Sequence, residues 1–216
     1  MIIKYFELKK KNLNDYDFFL LYGNNKGLIE ETIRTVFKPA LTSHVFNYDE
    51  NEILKDPETF KEEILNKSFF ESKKLIIISR VSDKIIKVIE EIIEKGVLDL
   101  SIILKSNNLE KKSKIRNLFE KNATTACVAF YEDNSQTLSS IASNFFREKK
   151  ISISQQNINL IVERSKGDRI NLTNELEKIR LFSLNKKKID TKEIIKLTNL
   201  AENFSISELV DNSLMQ

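Results

Sequence analysis

The first feature of the sequence that could do chemistry is a loop, GNNKG, that begins at Gly23 and ends at Gly27. In a working phosphate loop of the form GxxxxGKS/T, backbone N–H groups cradle the phosphates, the lysine neutralises them and the hydroxyl holds Mg²⁺. Leu28 and Ile29 stand where that lysine and that hydroxyl residue are needed. We therefore expect a degenerate phosphate-type loop, with Lys26 between the glycines, that supports no ATP hydrolysis. A plain strand-to-helix turn is the favoured interpretation.

A pair of adjacent aromatic residues, Phe69 and Phe70, lies in the polar connector KSFFESKK between a predicted helix and an isoleucine-rich strand. In an extended connector, neighbouring side chains point to opposite sides, so both rings cannot easily enter one core. An exposed aromatic pair is typical of an anchor for a hydrophobic pocket on a partner protein. Capping of the sheet is the alternative, and the pattern alone favours it.

Two basic stretches are a third candidate, because Lys and Arg supply the sequence-independent part of nucleic-acid affinity. One contains Lys111, Lys112, Lys114 and Arg116, and the other is Lys186–Lys188. Acidic neighbours dilute both runs, and solvated helix faces or helix ends are the more ordinary interpretation.

Other classes of site are excluded by counting residues. Cys127 is the only cysteine and His44 the only histidine, so neither an intrachain disulfide nor a Cys/His zinc site is available. Both residues lie in apolar, strand-like contexts and are expected to be structural. No pair of carboxylates forms an acid–base constellation, and we expect no metal and no cofactor. A net charge of +3 is too small to indicate nucleic-acid binding by itself.

The sequence also predicts the compartment. No apolar run approaches the roughly 18 residues that a membrane-spanning helix needs. The first residues, MIIKYFELKKK, place a basic run after an apolar one and lack a small-residue cleavage site, unlike a secretory signal. We expect a cytoplasmic protein with no membrane partner.

Short apolar strands alternate with amphipathic helices as far as Tyr131. Strands are predicted at residues 16–23, 43–50, 75–78, 100–104 and 126–130. A basic helix is predicted from about Leu109 to Asn122, and an earlier helix is expected to stop near Pro39. This alternation is typical of a doubly wound, mainly parallel α/β sheet.

Beyond Tyr131 the strand signals end, and the polar stretch EDNSQTLSS marks a boundary. Helices are predicted near residues 135–150, 154–165, 168–184 and 191–200. The expected domains are an α/β domain at 1–134, a small all-helical bundle at 135–200, and the start of a further helical domain at 201–216.

Five stretches, taken in this order, resemble the delta subunit of the bacterial DNA polymerase III clamp loader. They are FFLLYGNNKGLIEETI from Phe18, KSFFESKKLIIISRVSD from Lys67, LFEKNATTACVAFYEDNSQTL from Leu118, GDRINLTNELEKI from Gly167 and AENFSISELVDNSL from Ala201. No single stretch is a sharp motif, but together they span nearly the whole chain.

The resemblance implies an AAA+ like fold with a degenerate nucleotide site. It also implies binding to the ring-shaped sliding clamp (the beta subunit), which the family helps to open for loading onto primed DNA while other clamp-loader subunits hydrolyse ATP. Phe69 and Phe70 match the family's clamp-binding hydrophobic pair. The chain would have no catalytic site of its own, although it would belong to a DNA-directed DNA polymerase holoenzyme, a nucleotidyltransferase. The family's C-terminal collar domain would begin where this chain ends, at Gln216.

Two other functions stay open at this point. One is a nucleotide-dependent α/β enzyme that uses the loop from Gly23 to Gly27 in an unconventional way. The other is an independent nucleic-acid-binding module that uses Lys111, Lys112, Lys114 and Arg116, whose affinity for DNA would fall steeply with salt.

Overall fold

A computed structural model of the chain describes residues 1–41, 44–65, 73–96, 99–184 and 189–198. The chain divides into two compact units, the first spanning Met1–Glu132 and the second beginning at Asp133. Along the described part of the chain, no helix is long and apolar enough to cross a membrane.

The first unit is built on one parallel sheet of six strands. The strands are β1 (Ile2–Lys4), β2 (Phe18–Gly23), β3 (His44–Asp49), β4 (Lys74–Ser79), β5 (Leu100–Ser106) and β6 (Thr125–Phe130). Their order across the sheet is β1-β6-β2-β5-β4-β3, and every pairing is parallel. The chain runs from β1 at one edge to β2 near the centre, on to β3 at the other edge, and back past β2 to β6, so the sheet is wound in two directions.

Helices cover both faces of this sheet. They are α1 (Lys26–Thr32), α2 (Lys38–Leu41), α3 (Glu50–Lys55), α4 (Pro57–Leu65), α5 (Ile86–Lys95) and α6 (Lys114–Lys121). Ile89 and Phe119 belong to the apolar core on one face, and Ile33 and Phe37 to the core on the other. The central strand β2 is buried along its whole length, as expected for a parallel strand covered on both sides. The fold class predicted from the sequence is confirmed.

The structure differs from the sequence predictions at three places. β1 was not predicted, because only three residues form it and Ile3 alone is buried. The helix expected to stop near Pro39 continues to Leu41, because a π-helical turn at Ile33–Phe37 shifts the backbone carbonyls with which a proline in a regular helix would clash. Helix α6 is shorter than predicted, since the side chain of Ser113 caps its N-terminus by accepting from the N–H of Arg116.

The second unit is helical in its described residues. It contains α7 (Ser135–Glu148), α8 (Gln155–Arg164), α9 (Arg169–Ser183) and α10 (Thr191–Leu197). Their apolar faces form one core that includes Phe146, Ile161 and Leu176. Arg169 at the start of α9 makes a bidentate ion pair with Asp133, at 2.7 and 2.8 Å, and both side chains are buried. The predicted basic run Lys186–Lys188 and the predicted third segment at 201–216 lie outside the described residues.

Candidate functional site

The turn after β2, where the sequence predicts a degenerate phosphate-type loop, is closed by backbone contacts. Gly23 pairs with Phe130 at the end of the neighbouring strand and has a φ of +139°. A Cβ at Gly23 would lie only 2.1 Å from the carbonyl oxygen of Phe130. Glycine is therefore required at this position by the close approach of two strands, independently of any ligand.

The N-terminus of α1 is capped from within the same turn. The side-chain oxygen of Asn25 accepts a hydrogen bond from the N–H of Leu28 at 3.0 Å, and its amide donates to the carbonyl of Tyr131 at 3.0 Å. The N–H of Lys26 donates to the carbonyl of Asn24 at 2.9 Å. Two of the donors that a phosphate loop would turn towards its ligand thus bond within the turn.

The residues that replace the phosphate-loop lysine and hydroxyl point into the protein. Leu28 and Ile29 are 7% and 3% exposed and belong to the core beneath α1. Lys26 and Gly27 lie in the first turn of α1, and the side chain of Lys26 is exposed. The geometry is that of a short strand-to-helix turn. Its glycine, its capping asparagine and its two core residues all stabilise the fold.

A small cleft lies beside this turn, at the carboxyl ends of β4 and β5. Its volume is about 160 Å³, and its lining includes Lys26, Glu30, Arg80 and Lys105. Two of these cations already have carboxylate partners: Lys105 lies 2.6 Å from Glu30, and Arg80 lies 2.5 Å from Asp49. The cleft has room for a group of phosphate size but offers little uncompensated charge. Among the described residues no group of three or more His, Cys, Asp or Glu side chains could hold a metal ion.

The basic stretch at the N-terminal end of α6 separates into exposed and engaged side chains. Lys111, Lys112 and Lys114 are exposed, and Lys112 pairs with Glu110 at 2.8 Å. Arg116 is engaged: its Nε donates to Glu120 at 2.7 Å and its Nη1 to the carbonyl of Leu109 at 3.0 Å.

The Arg116 guanidinium also stacks against an aromatic ring. It lies 5.1 Å from the ring centroid of Tyr22, the penultimate residue of β2. Burial, with the nearby Cys127 adding to it, raises the pKa of Tyr22 to about 12, so the phenol stays neutral beside the cation. Only 18% of the Arg116 side chain is exposed. Arg116 stabilises the end of β2 and is poorly placed to reach a nucleic-acid backbone.

Asp83 fastens the N-terminus of α6 to the loop after β4. Its carboxylate accepts from the Ser113 hydroxyl at 2.7 Å and from the N–H groups of Lys114 and Ile115 at 3.0 Å each. Burial by itself would raise the pKa of Asp83, but these hydrogen bonds and the charge of Lys114 outweigh it and hold that pKa below its usual value. The carboxylate also complements the positive end of the helix.

Cys127 and His44 occupy different environments. Cys127 is 1% exposed in β6, and burial raises the pKa of its thiol to about 12, which removes thiolate reactivity near neutral pH. His44 is the first residue of the edge strand β3 and is exposed.

The predicted partner anchor, Phe69 and Phe70, lies outside the described residues. On one side of it α4 ends at Leu65, and on the other Lys73 precedes β4. Since all strands are parallel, Lys73 lies at the amino edge of the sheet, opposite the Gly23 turn. The Lys73 ammonium donates to Asn14 at 2.8 Å.

A larger cavity of about 410 Å³ lies at this amino edge, with Asn14, Asp17, Lys73 and Asp99 in its lining. Burial raises the pKa of Asp17, and the charge of Lys73 partly opposes that shift. The amino edge thus combines a concave surface with charged groups beside the segment that leads to the predicted anchor.

One exposed group of residues was not predicted from the sequence. Tyr5 and Phe6 follow β1 in a 3₁₀ helix, Tyr5–Lys10, with exposed fractions of 41% and 60%. The signal for them was present in KYFELKKK, where two adjacent aromatic residues lie between one lysine and a run of three.

Comparison with known proteins shows which family this chain matches. The family model described as "DNA polymerase III, delta subunit" matches residues 19–129, just over half of the 216 residues. None of the curated proteins compared with the chain matches it.

Solved structures with this fold include the DNA clamp loader delta protein YqeN of Bacillus subtilis. It is 15% identical with a TM-score of 0.54, and the match covers 89% of this chain and 61% of that one. A variant of RuvB from Thermotoga maritima has a TM-score of 0.62 at 14% identity, over 89% of this chain and 65% of that one.

Domain III of the replication initiation protein DnaA from Thermotoga maritima has a TM-score of 0.51 at 16% identity, over 89% of this chain and 87% of that one. These likenesses share the AAA+ like architecture, and the chain spans about three fifths of the length of the Bacillus protein. The family assignment rests on the model match across β2 to β6, which takes in the Gly23 turn, the connector with Phe69 and Phe70, and α6. The chain belongs to the DNA polymerase III delta subunit family.

Proposed function

We propose that this chain is a non-hydrolysing clamp-loader subunit that binds the sliding clamp and helps to open its ring for loading onto primed DNA. The observation that carries the proposal is the family match over residues 19–129, which includes both Phe69 and Phe70. The turn at Gly23 agrees with a subunit that leaves ATP hydrolysis to its partners, because Leu28 and Ile29 are committed to the core.

The proposed clamp anchor is the pair Phe69 and Phe70. Aromatic side chains that fill a pocket and lose their water supply most of the energy of many protein interfaces. The segment is attached to β4, whose residues Leu75 to Ile78 are buried. The chain directly after the proposed anchor is therefore fixed in the fold.

The proposed mechanism is linkage, and it requires no covalent step. A protein that binds the open ring interface better than the closed one shifts the ring towards opening by its differential affinity, and by no more. The other proposed partners are the remaining clamp-loader subunits and, within the complex, primed DNA.

The test is binding of the purified chain to the sliding clamp ring from the same source, measured by surface plasmon resonance. We expect the double variant Phe69→Ala/Phe70→Ala to bind at least about thirtyfold more weakly, which is roughly 2 kcal/mol. Phe6→Ala is the matched control, because it removes an exposed aromatic ring elsewhere in the chain and leaves the proposed anchor intact. A well-folded chain that does not bind the clamp, or a double variant that binds as the wild type does, would overturn the assignment of the anchor.

Opening of the ring is tested separately with a clamp variant whose ring interface is broken. Since linkage predicts tighter binding to the opened form, the wild-type chain should bind this clamp more tightly than the closed ring. Equal affinity for both forms would leave the chain a clamp-binding protein without an opening role.

A further inference from the structure

The N-terminal surface, defined here as Lys4–Lys11, combines exposed aromatic rings with an excess of positive charge. It contains four lysines and one acidic residue, Glu7. All four lysines are exposed, whereas Leu8 is 1% exposed and packs into the core of the sheet. The buried Leu8 therefore fixes the segment to the fold while its polar side chains face solvent.

The lysines of this surface are available to a ligand. Lys9, Lys10 and Lys11 form no ion pair or side-chain hydrogen bond with any other described residue. The ammonium of Lys4 lies 5.8 Å from the centroid of the Phe6 ring. Arg116 differs from these lysines because its donors are already bonded within the fold, to Glu120 and to the carbonyl of Leu109.

The two rings are held in place by their neighbours. Tyr5 lies 6.2 Å from the ring of Phe130 in β6, and Phe6 meets Tyr5 edge-to-face at 5.7 Å. In a 3₁₀ helix the side chains at i and i+3 lie above one another, so Lys9 follows Phe6 on the same face. Phe6 is therefore an exposed ring, 60% accessible, with a lysine on either side of it in this arrangement.

From these observations we infer that the N-terminal surface binds single-stranded nucleic acid. Proteins that bind single strands without sequence preference pair cations for the phosphate backbone with aromatic rings on which unpaired bases stack. Bases in a duplex are already stacked, so the exposed Phe6 and Tyr5 rings favour the single-stranded form. This surface lies apart from Phe69 and Phe70 in the sequence, and the inference goes beyond the proposed contact with the clamp.

The test uses the full chain and a fluorescein-labelled oligothymidylate of about 20 nucleotides, with anisotropy measured across a range of salt concentrations. We expect the triple variant Lys9→Gln/Lys10→Gln/Lys11→Gln to bind about tenfold or more weakly at low salt. Its plot of log affinity against log salt should flatten by about 2, because each lost phosphate contact removes about 0.7 from that slope. The matched control is Lys84→Gln/Lys87→Gln/Lys95→Gln, which removes the same charge from exposed positions on or beside α5.

The ring is tested by two substitutions at one position. Phe6→Ala should weaken binding to the oligothymidylate by about tenfold, whereas Phe6→Tyr keeps a stacking surface and should stay within about twofold of the wild type. Equal loss in the two lysine triples, equal affinity for Phe6→Ala and wild type, or equal affinity for a duplex of the same length would each overturn the inference. So would wild-type binding confined to vesicles of anionic lipid.

Two further measurements separate the possible sources and the two proposals. An oligouridylate of the same length shows whether DNA or RNA is the preferred strand. The clamp-binding assay on the lysine triple separates the surfaces: it should retain clamp affinity, and Phe69→Ala/Phe70→Ala should retain oligothymidylate affinity. Failure of one proposal is therefore visible without failure of the other.

Discussion

Two cation–aromatic pairs in the first unit have similar geometry and different surroundings. Arg116 lies 5.1 Å from the ring of Tyr22, and Lys4 lies 5.8 Å from the ring of Phe6. Tyr22 is 7% exposed, while Phe6 is 60% exposed. The first pair is a component of the folded core, and the second is open to a ligand. A basic residue next to an aromatic one thus indicates binding only where neither is already used by the fold.

The largest effect on stability around the Arg116–Tyr22 pair is expected for Gly23→Ala, which alters the residue directly after Tyr22. A methyl group there would meet the carbonyl oxygen of Phe130 at 2.1 Å, at a φ that L side chains rarely adopt. We expect the free energy of unfolding to fall by about 3 kcal/mol or more, measured by urea denaturation.

Gly96→Ala is the control for Gly23→Ala, because Gly96 also has a positive φ, +58°, but nothing lies within 4 Å of an added Cβ. It should cost about 1 kcal/mol. Similar losses at both positions would show that the contact with Phe130 does not decide the requirement for glycine.

The next largest effect is expected for Arg116→Ala. The change removes hydrogen bonds to Glu120 and to the Leu109 carbonyl together with the contact to Tyr22. We expect a loss of about 2 kcal/mol in the free energy of unfolding, and only partial recovery in Arg116→Lys, since lysine lacks the planar fork. A change no larger than that of Lys9→Ala would make Arg116 another surface cation and end the contrast between the two regions.

A smaller effect is expected for Asp83→Asn, which loosens the N-terminus of the helix that carries Arg116. The amide keeps one acceptor but loses the charge that complements three donors and the helix end, so we expect a loss of about 1 kcal/mol near neutral pH. Because the pKa of Asp83 is lower in the folded protein, its stabilising contribution is full above about pH 4, the unfolded value. It is lost as the pH falls through the folded value.

The difference between wild type and Asp83→Asn should therefore shrink at acid pH, as followed by denaturation at several pH values. Glu94→Gln on the exposed side of α5 is the control and should change the acid response little. A difference that stays constant from pH 7 to the acid limit would show that the charge of Asp83 contributes nothing.

The sequence predicted the sheet because buried parallel strands appear as continuous apolar runs, such as Leu75–Ile78. It did not predict β1, because the three residues of this strand carry too little periodic signal. The strand that pairs with it, β6, is also distant from it in the sequence. The same limit applies to the site. The replaced phosphate-loop positions, Leu28 and Ile29, were visible in the sequence. The contact of Gly23 with Phe130 was not, because it joins residues distant in the chain.

The basic residues show why composition could not decide between binding and structure. Lys111–Arg116 was one of the two basic runs considered for nucleic acid, yet its arginine is held by Glu120 and Tyr22. The Lys9–Lys11 run served in the sequence only as an argument against a secretory signal, yet its lysines face solvent. Which cations have partners depends on tertiary contacts, and local sequence does not contain them.

The smallest expected effect on stability belongs to the N-terminal surface, and it sharpens the contrast most. Lys9→Gln/Lys10→Gln/Lys11→Gln removes three exposed cations without partners among the described residues, so the free energy of unfolding should change by no more than about 0.5 kcal/mol. Urea denaturation beside Arg116→Ala measures both on one scale. If the triple variant instead lost stability like Arg116→Ala, its lysines would be holding the fold, and any loss of nucleic-acid affinity would follow from unfolding. A stable triple variant that releases a single strand would assign those lysines to binding, because groups that contribute nothing to the folded state are free to contribute to a complex.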